Sequence, residues 1–204
     1  MDTEMGLRES KKLQTRQEIS DHATRLFMEK GFEATTIAEI AVAARVAKKT
    51  VTNYFTRKED LALDHHEAYV QGLADAVADR PDGESPTMAF GRTLRAALTD
   101  HDPVVGFSGK DFAGMIAESP TLTARLRELH DLREAALADA LADKSDAPAA
   151  RTSAALIAAV DRLIFRRIQE LTLAGSTDDE ITTLLLPEAE SALSALERAD
   201  AREP

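Results

Sequence analysis

The sequence has no cysteine and no tryptophan, and only two tyrosines and seven phenylalanines among its 204 residues. The lack of cysteine excludes disulfides, thiolate metal sites and a cysteine nucleophile. The shortage of aromatics, beside abundant Ala and Leu, favours packed helices over sheets. No apolar run approaches the roughly 18 residues needed to span a bilayer, and the opening "MDTEMGLRESKK" has no apolar signal core, so a cytoplasmic protein with no membrane partner is expected. HExxH, Walker-loop, nucleophile-elbow and dinucleotide patterns are also missing. His65-His66-Glu67 resembles a metal cluster, but adjacent helical residues point about 100° apart and cannot easily share an ion. The expectation is a protein without enzymatic activity, metal or cofactor.

Acidic residues are scarce only in one place. The chain carries a formal net charge of −11, yet residues 40–58 contain no acid and hold Arg45, Lys48, Lys49, Arg57 and Lys58. Residues 1–60 are close to neutral, which leaves nearly all the negative charge on the remainder. Overall acidity does not exclude nucleic acid, because the local field at the contact matters more than the total.

The pattern along the chain predicts about nine helices and no strand. Lys11–Lys30 has Ile19, Ala23, Leu26 and Phe27 on one face and Gly31 as its stop. Thr36 and Glu39 form a capping box for a short helix that ends near residues 43–44. A second short helix is expected over 48–54. Thr56 and Glu59 read as another capping box, opening a long helix that "RPDGESP" (80–86) breaks. Helices through Phe90, Leu94 and Leu98, then an interrupted one over 110–118, then one capped by Ser119-Pro120 follow. "KSDAP" (144–148) is read as a loop, 149–174 as a helix stopped by Gly175, and the capping box of Thr177 and Glu180 as the start of a final helical stretch. Pro187 is expected to kink or divide that last helix.

Two short helices after a longer one match the layout of a helix-turn-helix unit, whose second short helix enters the major groove. Val46 and Val51 would form its core, and Ile37 and Ile40 would anchor the helix before the turn. Lys48, Lys49 and Lys58 can neutralise phosphates, and Thr50, Thr52 and Tyr54 can donate hydrogen bonds to them. Arg45 or Asn53 can address base edges. The competing reading is a solvated basic helix face, since short charge runs usually are that.

From Phe27 the chain reads FMEKGFEATTIAEIAVAARVAKKTVTNYFTRKEDL. This stretch resembles the DNA-binding domain of the tetracycline-repressor (TetR) family of bacterial regulators. The matching positions are Phe27, Gly31, Phe32, Thr35, Thr36, Ile37, Ile40, Ala41, Ala44, Val46, Thr50, Tyr54, Phe55, Lys58, Glu59 and Leu61. The resemblance implies an all-α homodimer that reads a near-palindromic double-stranded operator, most often as a repressor. It also implies a variable C-terminal domain holding a small-molecule effector; the change from short to long helices near residues 56–60 sets the division into residues 1–60 and 61–204. At Thr36 it implies a phosphate contact beside the capping role. Four positions depart from the family pattern. Arg45 stands where Gly is usual, Ala47 where a capping residue is usual, Lys49 where a small residue is usual, and Thr52 where an aromatic is usual.

Two polar residues fall on apolar helix stripes in the acidic body. Arg133 lies among Leu122, Leu126, Leu129 and Leu137 with His130 alongside. Arg167 lies among Leu156, Val160, Leu163, Ile164 and Leu171, with Asp161 on the flank. A buried charge needs a partner. Either these groups form an ion pair such as Arg133 with Asp161 or send an arginine tip to solvent, or His130, Arg133, Val160, Asp161 and Ile164 line an effector cavity. Phe107, Phe112 and Met115 lie in the least regular region and are candidates for the same cavity or for plain core. Surplus apolar residues at Leu156, Leu163, Leu184, Leu185, Leu193 and Leu196 are assigned to a two-fold, four-helix dimer interface, the alternative being the subunit's own core.

Overall fold

The computed structural model describes the backbone of residues 2–142 and 146–200, and the side chains of 10–142 and 146–199. Among the described residues there are ten α-helices and no strand. They are α1 (Asp2–Lys30), α2 (Ile37–Ala43), α3 (Lys48–Tyr54), α4 (Glu59–Ala62), α5 (His66–Ala78) and α6 (Pro86–Thr99), then α7 (Lys110–Glu118), α8 (Pro120–Ala142), α9 (Ala147–Ala174) and α10 (Asp178–Asp200). Residues 143–145, within or beside the expected 144–148 loop, lie outside the described residues.

Several helix ends follow their caps. Thr36 and Glu39 make the reciprocal bonds of a capping box, and Thr177 and Glu180 do the same ahead of α10. Ser119 Oγ accepts from the Leu122 amide at the start of α8. Gly31 and Gly175 take left-handed backbone angles, φ 85° and 95°, beyond α1 and α9.

Five expectations need correction. The first helix begins at Asp2 instead of Lys11. The Thr56–Glu59 capping box does not form: α4 is preceded by Lys58 and has no side-chain cap. The single helix expected after it is two, because α1 captures the carbonyls that would carry it on. Ser20 Oγ reaches Leu61 O at 3.3 Å and Asp64 Oδ2 at 2.6 Å, and Arg16 donates to Asp64 O. Finally, α7 is uninterrupted, and α10 is not divided at Pro187. Proline inside a helix costs about 3 kcal/mol or more. Buried Ile181 and Leu185 on one side of it, and Ala189, Leu193 and Leu196 on the other, supply the burial that offsets this.

Contacts divide the chain into two compact units. One comprises residues up to Asp64 together with Met115–Arg125; the other comprises His65–Gly114 and the chain from Leu126 onward. The sequence-based boundary lay between residues 60 and 61.

The first unit packs Ile19, Ala23, Phe27, Phe32, Ile40, Val51, Phe55, Leu61 and Leu122 in its core. The Phe27 and Phe32 rings stand 5.0 Å apart. Val46, expected inside, is half-buried. A buried ion pair joins Arg125 to Asp60 at 2.8 Å. Glu33 accepts from the Ser119 hydroxyl at 2.6 Å, a bond that holds its carboxyl below the usual range with help from Thr121.

The second unit buries Leu73 and Val77 of α5, Phe90, Leu94 and Leu98 of α6, Leu137 and Leu141 of α8, Ile157, Ile164 and Ile168 of α9, and the apolar face of α10. At Gly91 a Cβ would meet Leu193 at 3.3 Å and Arg95 at 3.0 Å, so the absence of a side chain there lets α6 and α10 approach. An exposed bidentate pair, Arg95 with Glu190, crosses the same contact.

Candidate nucleic-acid interface and the polar cluster of the second unit

The turn between α2 and α3 is a Schellman motif. The Val46 amide bonds Ala41 O at 2.9 Å and the Arg45 amide bonds Val42 O at 3.1 Å. This places Arg45 at the left-handed position beyond the helix, with φ 55°. A non-glycine residue there costs about 1–2 kcal/mol. The chain thus keeps the usual turn and accepts the strain, and the strained position carries an exposed cation.

Helix α3 follows without a side-chain cap, since Ala47 has none to offer. Val51 is fully buried and fixes the inward face. Arg45, Lys48, Lys49, Thr52 and Asn53 are exposed, while Thr50 and Tyr54 are half-buried. The Thr52 hydroxyl is turned back to Lys49 O at 3.1 Å. Among the described residues, no hydrogen bond or ion pair engages the side chains of Arg45, Lys48, Lys49 or Asn53.

Thr36 is exposed at the start of α2, but its hydroxyl is occupied. It accepts from the Glu39 amide at 3.2 Å and lies 2.8 Å from Glu39 Oε2. Glu39 is in turn held by Lys30 at 2.9 Å. The Lys30 bond, followed by those from Thr36, lowers the Glu39 carboxyl to about 2.

Lys58 is committed elsewhere. Its ammonium donates to Phe32 O at 2.7 Å, Thr35 O at 2.9 Å and Glu33 O at 3.4 Å, and it stands 4.2 Å over the Phe32 ring. An ammonium has three donors, so none is left for a phosphate in this arrangement. Lys58 pins the connection between α1 and α2. Arg16 acts similarly on α3, donating to Tyr54 O at 3.0 Å while covering the Phe55 ring at 4.4 Å.

In the second unit, Arg133 and Asp161 face each other as the ion-pair reading expected. Nε–Oδ2 is 2.9 Å and Nη2–Oδ1 is 3.2 Å, with both side chains under a tenth exposed. Arg133 Nη1 donates to Tyr69 O, and the guanidinium lies 4.6 Å over the Tyr69 ring. The Tyr69 hydroxyl meets His130 Nδ1 at 2.5 Å. Phe165 closes the group edge-on, 5.3 Å from His130 and 6.2 Å from Tyr69. Burial raises the Tyr69 pKa, with Asp161 adding to it, and burial lowers that of His130. Both shifts favour the neutral phenol and the neutral imidazole, and the tautomer of His130 sets which of the two donates.

The other expected cavity residues are not drawn into this cluster. Phe107 is buried against His101 at 5.1 Å, Ile164 lies in the core, and Phe112 and Val160 are half-buried. Met115 belongs to the first unit. Arg167, expected on an apolar stripe, is about a third exposed and paired with Glu170 and Glu188. Tyr69 and Phe165 were missed as site residues; at helical spacing an aromatic reads as ordinary core. Among the described residues no three acidic or histidine side chains come together as a metal site, and no described helix is long and apolar enough to cross a membrane.

Comparison with known proteins supplies the family. The family model described as bacterial regulatory proteins, tetR family, matches residues 19–64. The HTH-type transcriptional regulator TcmR of Streptomyces glaucescens is 30% identical over 209 residues, covering 98% of this chain and 91% of that one. The chain belongs to the TetR family. Solved TetR-family structures share the fold at lower identity. NalD of Pseudomonas aeruginosa, the secondary repressor of the MexAB-OprM efflux pump, superposes with a TM-score of 0.57 at 17% identity, over 91% of this chain and 96% of that one. A regulator from Mesorhizobium loti gives 0.52 at 16%, over 92% and 97%. This TetR-family regulator therefore has an N-terminal helix-turn-helix, formed by α1–α3, and a larger helical C-terminal part.

The six leucines assigned to a dimer interface separate into two sets. Leu185, Leu193 and Leu196 are buried in the subunit's own core, while Leu156, Leu163 and Leu184 are 40–52% exposed. On α9 the exposed positions Thr152, Leu156, Ala159, Leu163, Arg166, Glu170 and Leu173 recur at alternating steps of four and three, the seam spacing of paired helices.

The Lys58 clamp has a consequence for TetR-type DNA contact. Lys58→Met is expected to lower the unfolding free energy by about 1–3 kcal/mol, since three carbonyls lose their donor, and to leave the salt dependence of DNA binding unchanged. Urea unfolding and salt titration of the variant check both halves. Wild-type stability with a shallower salt slope would instead make Lys58 a phosphate ligand.

Proposed function

We propose that this TetR-family regulator is a repressor that binds a near-palindromic operator as a homodimer and is released by a small-molecule effector. The observation that carries the reading is the exposed face of Arg45, Lys48, Lys49 and Asn53, uncommitted among the described residues on a chain of net charge −11. Such a face serves a polyanion. Thr50 and Tyr54, half-buried on its flank, can donate to phosphates; Thr36 can do so only by releasing Glu39. Sequencing DNA fragments selected by the purified protein tests the reading, and an enriched inverted repeat is the expected result.

The exposed α9 stripe supports dimerisation through α9, with Leu184 of α10 beside it. Leu163→Glu is expected to place two carboxylates in an apolar seam and shift the protein to monomers in light scattering, with operator binding weakened in step. A persistent L163E dimer would move the interface elsewhere.

Effector release works by population shift: a ligand that prefers a form with wrongly spaced recognition helices draws the dimer off DNA. A second reading, regulation without a small molecule, is favoured by one observation. Arg133, Asp161 and Tyr69, the polar groups nearest to hand for a ligand, already satisfy one another. His130 Nε2, which no described residue bonds, supports the ligand reading.

A further inference from the structure

We propose that Lys49 and Asn53 read operator bases: Lys49 a guanine, and Asn53 an adenine about two base pairs along the groove. The inference rests on the DNA-binding reading above and deepens it from a basic face to a half-site with named bases.

Direction comes first. Val51 is fully buried and marks the inward side of α3. At 3.6 residues per turn, Lys49 and Asn53 each lie roughly 160° from it, on either side of the outermost line of the helix. Lys48 lies roughly 60° from Val51 and Tyr54 the same on the other side, so these two flank the face and reach toward the groove walls, where the phosphates are. Thr52 is also outward, but its hydroxyl is turned to Lys49 O. Lys49 and Asn53 remain as the two outermost side chains, both exposed and both without a partner among the described residues.

Chemistry comes second. An asparagine amide offers one donor and one acceptor side by side, the complement of adenine N7 and N6 in the major groove. A lysine ammonium only donates, which suits the two acceptors of guanine, O6 and N7. Helix α3 contains no carboxylate and no arginine, so it has no Asp or Glu to pair with a cytosine N4 and no Arg to compete with Lys49 for guanine. Spacing comes third. Four residues advance the helix by about 6 Å, and base pairs repeat every 3.4 Å along B-DNA, which gives a separation of about two base pairs.

The test is fragment selection and sequencing with the full-length protein, run in parallel on wild type, Asn53→Ala, Lys49→Ala, Lys49→Arg and Lys48→Ala. All three positions are exposed, and matching thermal melts establish that the variants fold. Wild type is expected to enrich an inverted repeat with a G and an A two positions apart in each half. N53A should reduce the preference at the A position from roughly 5–150-fold to near none while leaving the G in place. K49A should do the converse, and K49R should retain the G. K48A should weaken binding evenly without changing the consensus. Enrichment of the same consensus by N53A and wild type, or a uniform loss of affinity in N53A, overturns the assignment and leaves DNA binding intact. Failure of wild type itself to enrich any site overturns the DNA-binding reading, and this inference with it.

Discussion

Replacing Arg133 by methionine is expected to lower the free energy of unfolding by about 3–5 kcal/mol, because it leaves the Asp161 carboxylate buried without a counter-ion. Domains of this kind are stable by only about 5–15 kcal/mol in all, so the loss is a large share of the total. The size follows from burial. Arg133 and Asp161 side chains are 7% and 8% exposed, and the guanidinium also serves the Tyr69 carbonyl. The double replacement Arg133→Met with Asp161→Leu should recover most of the loss, since two apolar groups of similar volume can stand in for a buried pair. The exposed Arg95–Glu190 pair is the control. It has equally good bidentate geometry but sits 43% and 49% exposed, where such pairs contribute about 0–1 kcal/mol. Urea unfolding of R133M, of the double variant and of Arg95→Met separates these cases. A loss below about 1 kcal/mol in R133M would mean that the pair is solvated and the packing around it loose.

That pair was legible in the sequence as an oddity: an arginine in the middle of a leucine stripe and an aspartate on the flank of another. Helical phase alone set the two facing inward, and the cost of an unpaired buried charge did the rest. Local chemistry was legible for the same kind of reason. Thr36 with Glu39 and Thr177 with Glu180 satisfy their helix ends within four residues, so nothing remote can overrule them. The helix-turn-helix was read correctly down to the bounds of α3.

What was missed depends on remote groups. The Thr56–Glu59 box looks as good as the other two, yet Ser20 and Arg16 of α1 take carbonyls at Leu61 and Asp64 and end α4 after four residues. Lys58 was read as a free cation because its three carbonyl partners lie more than twenty residues away. Pro187 fails to divide α10 because the burial on both sides outweighs one absent hydrogen bond. Leu185, Leu193 and Leu196 cannot be told from Leu184 by type; only their phase against α6 and α9 decides which serve the core. Tyr69, which ties Arg133 to His130, carries no signal in sequence beyond helical spacing.

The remaining large effect concerns salt. Arg45, Lys48 and Lys49 are exposed and uncommitted among the described residues, so a dimer would bring six such cations to the duplex, four of them for phosphates alone where Lys49 engages a base. With a slope near −0.9 per phosphate neutralised, log K against log salt should fall with a slope of about −3.5 to −5.5. Between 50 and 200 mM salt this amounts to a loss of roughly 150- to 2,000-fold in affinity. Lys48→Ala, lost twice per dimer, should make the slope shallower by about 1.8.

Titration of binding to the selected fragment across that salt range, for wild type and K48A side by side, reads the central claim directly. The expected result is a steep wild-type line and a K48A line shallower by about 1.8. Two flat or superimposable lines would contradict the assignment of the α3 face to a phosphate backbone.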